Sequence, residues 1–310
     1  MKHLLRYMVA ITLVAFAAAC GKEDAPEAPN ENTEVTVTFS TSLPVVARGA
    51  GEGKLANELH YAVYLNGDLR LATNYNSPIA PIDPATGKAT LNLALVNGYT
   101  YDIVFWAQSS QAPYGLNWEE QHIAMNYSAN AGNNEHRDAF IYVLKALTIN
   151  GATQRTIELK RPFAQLNIGV SDYDTAAAGG FTLAATKIKA QACPRLKFFG
   201  ANADEYGIAE GALEPVTFAW ATPLTGEDAT FEVAGKSYKR VSTNYLLIGG
   251  NTLHSDALNI DIAFSNEASG NGTTRELFTF NAVPVERNHR TNIVGTLLTS
   301  PANREIVVNP

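Results

Sequence analysis

The stretch EVTVTFS, residues 34–40, places an apolar side chain at every second position. These side chains belong to Val35, Val37 and Phe39, and hydroxyl-bearing residues separate them. A spacing of two puts all three on the same face of an extended chain. The stretch therefore predicts a β-strand with one buried face and one exposed face.

The same spacing recurs along the chain, with Gly, Pro and Asn between the apolar stretches. Asn66-Gly67 and Asn97-Gly98 each lie between two such stretches. Because Asn-Gly accepts the positive backbone angles of tight turns, both predict β-hairpins. Long amphipathic helices are hard to find, and residues 134–145 have room for only a turn or two. The pattern predicts a mainly β fold of antiparallel sandwiches.

The N-terminus has the composition of an export signal. Lys2 and Arg6 precede an apolar run at residues 8–19, which is shorter than the roughly 20 residues that a membrane-spanning helix needs. Small residues and then Cys20 follow, as in bacterial lipoprotein signals, whose cysteine is acylated. We therefore predict a signal peptide at residues 1–19 and lipidation of Cys20. The alternative is an ordinary secretory signal in which Cys20 is incidental.

Lys22, Glu23 and Asp24 directly follow the predicted lipidation site. A lysine and two acids at this place resemble the export signal of Bacteroidetes surface lipoproteins, which implies an outer-membrane lipoprotein at the cell surface. Residues 20–33 are rich in Glu, Asn, Pro and Ala and predict a flexible tether.

The chain has 310 residues, which is ample for two domains, and a net charge of -7. This acidic balance argues against a nucleic-acid partner. The chain has only two cysteines, so if Cys20 carries lipid, Cys193 has no disulfide partner within the chain. Cys193 is predicted to be a small buried hydrophobic residue.

We find no pattern for catalysis, a cofactor or a metal, and we predict that the protein is not an enzyme. GAGEGKL at residues 49–55 has the wrong glycine spacing for a phosphate loop. EHRD at residues 135–138 is a weak candidate site, and a solvated turn is the more ordinary interpretation. The histidines after the signal lack the spacing of zinc ligands, and Asp172 and Asp174 lack the rest of a calcium loop; these histidines are His60, His122, His136, His254 and His289.

Two weaker candidates concern sugars. The three tryptophans, Trp106, Trp118 and Trp220, could form a sugar-stacking platform, although sandwich cores also use aromatic side chains. Asp174-Thr175-Ala176 resembles a short acceptor pattern for O-glycosylation in Bacteroidetes.

Three stretches carry a resemblance to a known family: RDAF at residues 137–140, LKRPFAQLNIGV at 159–170 and VPVERNHRTNIVGTLLT at 283–299. With the lipoprotein signal, their order and spacing are similar to those of the fimbrillin-like lipoproteins of Bacteroidetes, relatives of the fimbrial subunits of oral anaerobes. The resemblance implies two tandem transthyretin-like β-sandwich domains and, often, polymerisation into pili.

One strand stretch ends and another begins near residues 160–162, so we place the domains at residues 34–160 and 161–310. RPFAQLNIGV combines a rigid proline with near-alternating apolar residues. It predicts Phe163, Leu166 and Ile168 as buried anchors of the second domain. The same reasoning extends to Ile293, Leu297 and Leu298.

The resemblance also implies a mode of assembly. In the family, an arginine-specific protease removes the lipidated N-terminus with the first strand, and a strand of another subunit fills the groove. The matching segment here is residues 34–48, which ends at Arg48. Glycines follow Arg48, as suits an exposed loop. The alternative is that Arg48 is simply a solvated charge.

The candidate donor strand is REIVVNP, residues 304–310, with Ile306 and Val308 entering the pockets and Val307 facing outward. Its alternative is an ordinary edge strand. The predicted function is a structural or accessory fimbrial subunit, whose partners are copies of itself or related subunits, and the outer membrane through the lipid anchor. The alternative is a lipid-tethered adhesin that binds a host glycan or protein and does not polymerise.

Overall fold

The computed structural model describes residues 33–44, 53–66, 70–71, 79–127, 132–249, 254–300 and 303–309. Before residue 160 the strands are β1 (Glu34–Ser42), β2 (Glu58–Leu65), β3 (Arg70–Leu71), β4 (Ile79–Pro81), β5 (Lys88–Val96), β6 (Thr100–Gln108), β7 (Gly115–Asn117), β8 (His122–Ala124), β9 (Phe140–Thr148) and β10 (Thr153–Glu158).

After residue 160 a short helix, α1 (Tyr173–Ala178), follows the first strand. The strands are β11 (Phe163–Val170), β12 (Ala185–Ala192), β13 (Arg195–Lys197), β14 (Ile208–Glu210), β15 (Glu214–Ala221), β16 (Thr230–Val233), β17 (Lys236–Leu247), β18 (Ser255–Ser265), β19 (Thr274–Glu286), β20 (Arg290–Gly295) and β21 (Arg304–Asn309). The predicted mainly β fold is therefore confirmed.

Within the described ranges, the strands form two pairs of sheets and a small fifth sheet. The first sandwich contains the sheet β10-β1-β5 and the sheet β3-β2-β6-β9, in which β4 also pairs with β2. The second sandwich contains β16-β17-β11-β20-β21 and β15-β12-β18-β19. The fifth sheet, β14-β13-β8-β7, takes two strands from each side of residue 160. The domain limits at residues 34–160 and 161–310 stay a prediction, and they fall between β10 and β11.

Most strand pairs are antiparallel, as predicted, but the first strand of each sandwich also has a parallel neighbour. β1 runs antiparallel to β5 and parallel to β10. β11 runs antiparallel to β17 and parallel to β20. Each first strand therefore lies inside its sheet, with both edges paired.

Apolar side chains form one core in each sandwich and a third core between them. Leu166 and Ile168 lie in the core of the second sandwich, as do Ile293, Leu297 and Leu298. Phe163 lies in the core between the sandwiches, which we call the junction core, together with Trp106 and Cys193. All six predicted anchors are buried, and so is Cys193, as predicted.

The two Asn-Gly predictions have different outcomes. β2 and β3 pair antiparallel through Leu65 and Arg70, which confirms the first hairpin, although residues 67–69 lie outside the described residues. The hairpin at Asn97-Gly98 is wrong. Gly98 does turn the chain with a φ of 82°, but β5 pairs with β1 whereas β6 pairs with β2 and β9. β6 is buried along almost its whole length and lies between β2 and β9 in the opposite sheet.

The predicted helical turns at residues 134–145 are limited to a single 3-10 turn, Glu135–Arg137, after which β9 begins. Asn134 accepts a hydrogen bond from the backbone N–H of His136 and so caps this turn. Within the described ranges, no helix is long and apolar enough to cross a membrane.

Candidate strand-exchange site

β1 fills the centre of the first core. Val37 and Phe39 are 0% exposed, and the Phe39 ring centroid lies 5.3 Å from that of Phe105. Thr41 continues the buried face towards Leu43, whereas Val35 at the other end of the strand is half-buried. The predicted alternation of buried and exposed side chains is therefore present in β1.

The backbone of β1 is paired on both edges over most of its length. All nine residues of the strand pair with β5, and residues 37–42 pair with β10. If β1 were removed, both neighbours would be left with unpaired N–H and C=O groups on either side of an apolar groove. Such a groove accepts a strand whose apolar side chains are spaced by two.

The chain is anchored on both sides of the segment that holds Arg48. Before it, the Leu43 N–H donates to the carbonyl oxygen of Gly87 at 3.0 Å. After it, the Gly53 N–H donates to Asp138 Oδ2 at 2.8 Å. Residues 45–52, with Arg48, lie outside the described residues. Gly53 has a φ of 69°, and a Cβ there would come within 2.6 Å of the Phe140 ring, so this position requires glycine.

Asp138 holds this anchor through a buried ion pair with Arg161. Arg161 Nε lies 2.6 Å from Asp138 Oδ1, and Arg161 Nη2 lies 3.0 Å from Asp138 Oδ2. Asp138 is only 2% exposed and Arg161 6%. The Arg161 guanidinium also lies 5.2 Å from the centroid of the Phe140 ring. A bidentate pair of this kind is strong because the two planar groups match in geometry.

The interpretation of EHRD as a solvated turn is wrong for its last two residues. Arg137 and Asp138 are both buried. Arg137 Nη2 donates to the Met125 carbonyl at 2.8 Å, and the guanidinium lies between the rings of Tyr114 and Tyr127 at 5.3 and 5.1 Å. The Arg137 guanidinium therefore contacts residues of the junction core, because the turn that holds it directly precedes β9 beside that core.

The three stretches that carry the family resemblance meet at this junction. The backbone N–H of Arg161 donates to Asn288 Oδ1 at 3.1 Å, and the backbone N–H of Asn288 donates to the Phe163 carbonyl at 2.9 Å. Hydrogen bonds therefore connect the three stretches, since Arg161 of the second stretch bonds both to Asp138 of the first and to Asn288 of the third. The sequence prediction identified the stretches but missed this network, whose only signal was charge placed directly beside apolar residues.

Burial alters the ionisation of several groups at the junction. It raises the pKa of Tyr127 to about 12 against the lowering effect of the Arg137 cation, and it raises the pKa of Tyr114 and Tyr245. It lowers the pKa of Arg287 to about 10. The Arg287 guanidinium therefore stays charged at neutral pH while it donates to the carbonyls of Ile248 and Gly207 at 2.8 and 3.1 Å.

The candidate donor segment forms the edge strand β21, paired antiparallel with β20. Ile306 is paired with Ile293 and so faces the core side of the sheet, but it is 37% exposed. Val308 shares that face and is half-buried. Val307 lies on the opposite face and packs against an apolar cluster that contains Val294.

A row of polar side chains links β21 to the sheet. Thr243 Oγ1 donates to Asn167 Oδ1 at 3.0 Å, and Asn167 Nδ2 donates to Asn292 Oδ1 at 2.9 Å. Asn292 Nδ2 then donates to Asn309 Oδ1 at 3.0 Å. The sequence prediction also missed this row, in which Asn167 and Asn292 are polar residues within largely buried strands.

The remaining predicted site residues do not come together. Cys20, Lys22, Glu23 and Asp24 lie outside the described residues. Trp106 and Trp118 are buried in the junction core, so the three tryptophans form no common platform, and only Trp220 is half-buried. Thr175 is exposed on α1. In the part of the chain that the structure describes, no three His, Cys, Asp or Glu side chains are grouped as metal ligands would be.

The fold and this site define a mainly β protein of two sandwiches that share a junction core. A solved structure of the same fold is a candidate cell adhesion protein from Bacteroides eggerthii, with 11% identity and a TM-score of 0.50 over 90% of this chain and 96% of that chain. The mainly β fold that the predicted resemblance implies is therefore also the fold of this Bacteroides protein.

Two further solved structures are similar. One is a fimbrial assembly protein from Parabacteroides distasonis, with 14% identity and a TM-score of 0.47 over 89% of this chain and 95% of that chain. The other is the tip fimbrial protein Mfa3 from Porphyromonas gingivalis, with 9% identity and a TM-score of 0.44 over 89% and 99%. None of the curated proteins compared matches the chain. A model of the family of unknown function DUF6562 matches residues 3–310, and the chain belongs to this family.

Proposed function

We propose that the protein is a non-enzymatic, cell-surface subunit of a fimbria that assembles with copies of itself or related subunits by strand exchange. One observation carries the proposal: β1 completes the first core from inside its sheet, and the stretch of chain that leads from β1 to β2 contains Arg48. A cut at Arg48 would therefore separate one whole core strand from the chain.

The direction of β1 suits such a cut. Ser42 lies at the junction end of the strand, since the Leu159 N–H donates to the Ser42 carbonyl at 2.9 Å. Glu34 pairs with Val96 at the opposite end. Nine strand residues span roughly 30 Å at about 3.3 Å each, so Glu34, which follows the tether in the chain, lies far from the end of β1 that precedes Arg48.

The vacated groove would have a strong tendency to refill. Val37, Phe39 and Leu43 each contribute roughly 1.5–3 kcal/mol through burial. An open groove with two unpaired strand edges is an aggregation hazard unless another strand occupies it promptly. The ion pair of Asp138 and Arg161 supports the proposal, because it would hold Gly53 and the new N-terminal end in place after cleavage.

β21 is the donor that we propose. Its six residues match the six residues of β1 that pair with β10, and Ile306 and Val308 are spaced by two, as are Val37 and Phe39. Within its own chain, Ile306 stays 37% exposed, so transfer into a groove would bury apolar surface that the monomer leaves in water. Against this, transfer would break the pairing with β20 and the hydrogen bond between Asn292 and Asn309.

The proposed route to the surface begins with lipidation of Cys20 and export directed by Lys22, Glu23 and Asp24. Before cleavage the subunit would stay a tethered monomer in the outer membrane, because its own β1 occupies the groove. Cleavage would then remove the lipid anchor together with β1 and permit assembly.

The test compares the wild type with Arg48→Ala in cells that produce filaments. We expect the wild-type N-terminus, read by sequencing of the recovered protein, to begin at Gly49, and we expect polymers that resist mild denaturant. Arg48→Ala should keep its N-terminal segment and stay monomeric. Arg70→Ala is the matched control, since it removes the next arginine along the chain, and it should be cleaved and polymerise normally.

The donor assignment has its own variants. Deletion of residues 304–310 should permit cleavage but stop chain growth, because β21 is an edge strand and its loss leaves the core of the second sandwich in place. Ile306→Asp should do the same, whereas Glu305→Gln, at an exposed neighbouring position, should polymerise normally. Normal filaments from Arg48→Ala would refute strand exchange through this cut and favour the tethered adhesin.

A further inference from the structure

Trp220 differs from the other two tryptophans because it is not part of a core. It lies at the end of β15, half-buried, and forms a wall of a surface cleft of about 490 Å³. Asn133, Thr222, Thr225 and Ala268 lie around the same cleft. A volume of this size lies within the range of about 300–1,000 Å³ that is usual for small-molecule sites.

The indole ring is held in place before any ligand arrives. Gly270 has a φ of 76°, and a Cβ there would lie 2.1 Å from Trp220 Nε1, so the Gly270 backbone packs directly against the ring. The Lys187 ammonium lies 5.9 Å from the centroid of the same ring. A fixed aromatic surface binds a flat ligand with little loss of side-chain entropy.

Another part of the lining, at Asn133, is also held in place. Asn133 Nδ2 donates to the Thr222 carbonyl at 2.6 Å, and Asn133 Oδ1 accepts from the Thr243 N–H at 2.7 Å. This side chain therefore ties the loop at Asn133 to the end of β15 and to β17. The Thr222 and Thr225 hydroxyls are exposed and make no hydrogen bond to any residue that the structure describes, so they are available to a ligand.

The composition of the cleft restricts the class of ligand. The lining contains an indole, hydroxyls, an amide and small apolar groups, but no acidic or basic side chain. A charged ligand would find no counter-ion among the lining residues, and the nearest cation described is the Lys187 ammonium beside the indole. A purely apolar ligand would leave the hydroxyls without partners. A sugar ring has an apolar C–H face and a rim of hydroxyls, and it suits both features.

We infer that this cleft binds a short, uncharged saccharide that stacks on Trp220 and bonds to Thr222 and Thr225. The inference is independent of strand exchange, since every residue involved lies outside β1 and β21. Binding is therefore expected in the uncleaved monomer, and the Arg48→Ala protein should bind as well as the wild type.

The test uses the full mature chain with methyl α-D-mannopyranoside, methyl β-D-galactopyranoside, N-acetylglucosamine and glucuronate as probes. Because Trp106 and Trp118 are buried, a saturable change in tryptophan fluorescence would report on Trp220. We expect such a change with at least one uncharged probe and a weaker response to glucuronate. Ligand-observed NMR and calorimetry provide the affinities of the variants.

Trp220→Ala should weaken binding by about tenfold or more, which corresponds to about 1.4 kcal/mol. Trp220→Phe should retain part of the affinity, and Thr222→Val with Thr225→Val should also weaken binding. Tyr99→Ala is the matched control, because it removes an exposed aromatic ring from the first sandwich, and it should bind normally. Circular dichroism confirms that each variant is folded.

Three results would overturn the inference. They are the absence of saturable binding to all three uncharged probes, unchanged affinity in folded Trp220→Ala, and a preference for glucuronate. The last would assign an anionic ligand to Trp220 and Lys187 instead of the neutral one inferred here.

Discussion

Removal of the Asp138 carboxylate should destabilise the junction strongly. Asp138→Leu would take away both hydrogen bonds to Arg161 and the acceptor of the Gly53 N–H. Loss of one partner from a buried ion pair costs about 3–5 kcal/mol, since the other charge stays out of water. We therefore expect the free energy of unfolding to fall by at least about 3 kcal/mol.

The double variant Asp138→Leu with Arg161→Met provides the sharper test. It replaces both charges with apolar groups, and such replacements are often neutral or stabilising. We expect it to recover most of the stability that Asp138→Leu loses. The interaction energy then follows from the double-mutant cycle of the two single variants and the double variant.

Urea denaturation measures these changes, with the fluorescence of Trp106 and Trp118 reporting on the junction core and circular dichroism reporting on the sheets. Asp261→Ala is the control, since Asp261 accepts a solvent-exposed hydrogen bond from Thr279 at 2.8 Å and its loss should cost about 1 kcal/mol or less. A loss below about 1 kcal/mol for Asp138→Leu, or no recovery in the double variant, would refute the role assigned to this ion pair.

Three further predictions concern other parts of the molecule. Phe163→Ala should cost about 3–5 kcal/mol in urea denaturation, because it leaves a cavity among the rings of Tyr114, Trp106 and Tyr245; a loss under about 1 kcal/mol would contradict a core role. Burial lowers the pKa of His60 below 6.5, so its contribution to stability is present above that pH and is lost as the pH falls through the lowered value. The melting temperature of the wild type should thus fall more steeply on acidification than that of His60→Gln, and parallel curves would contradict this. Cys20→Ala should abolish acylation in metabolic labelling with palmitate, whereas alanines at residues 22–24 should leave the lipid but hide the protein from external protease; unchanged accessibility would exclude these residues as the export signal.

Much of the local structure follows from the sequence because a half-buried strand requires apolar residues at every second position. The alternation at Val35, Val37 and Phe39 predicts β1, and near-alternating apolar residues predict the burial of Leu166 and Ile168. Which strands pair with each other has no such local pattern. Gly98 turns the chain as Asn-Gly predicts, yet β5 and β6 enter different sheets, since each strand pairs where its apolar faces are covered.

The junction network shows the same limit for charged residues. In the sequence, Asp138 is an acid in a polar stretch and indicates a turn in water. In the fold, residues from before β9, before β11 and after β19 converge, and Asp138, Arg161 and Asn288 become one buried group. Because these contacts join residues up to 127 positions apart, no local pattern could have predicted them.

The sequence by itself determined the β class of this protein, the positions of several turns and the apolar anchors, because each of these depends on residue types at short spacing. Only the tertiary structure decided that β1 lies between two partners, that β21 is an edge strand with Ile306 partly in water, and that Trp220 lines a cleft while Trp106 and Trp118 fill a core. The physical reason is that burial and pairing depend on what packs against a residue, and those neighbours come from distant parts of the chain.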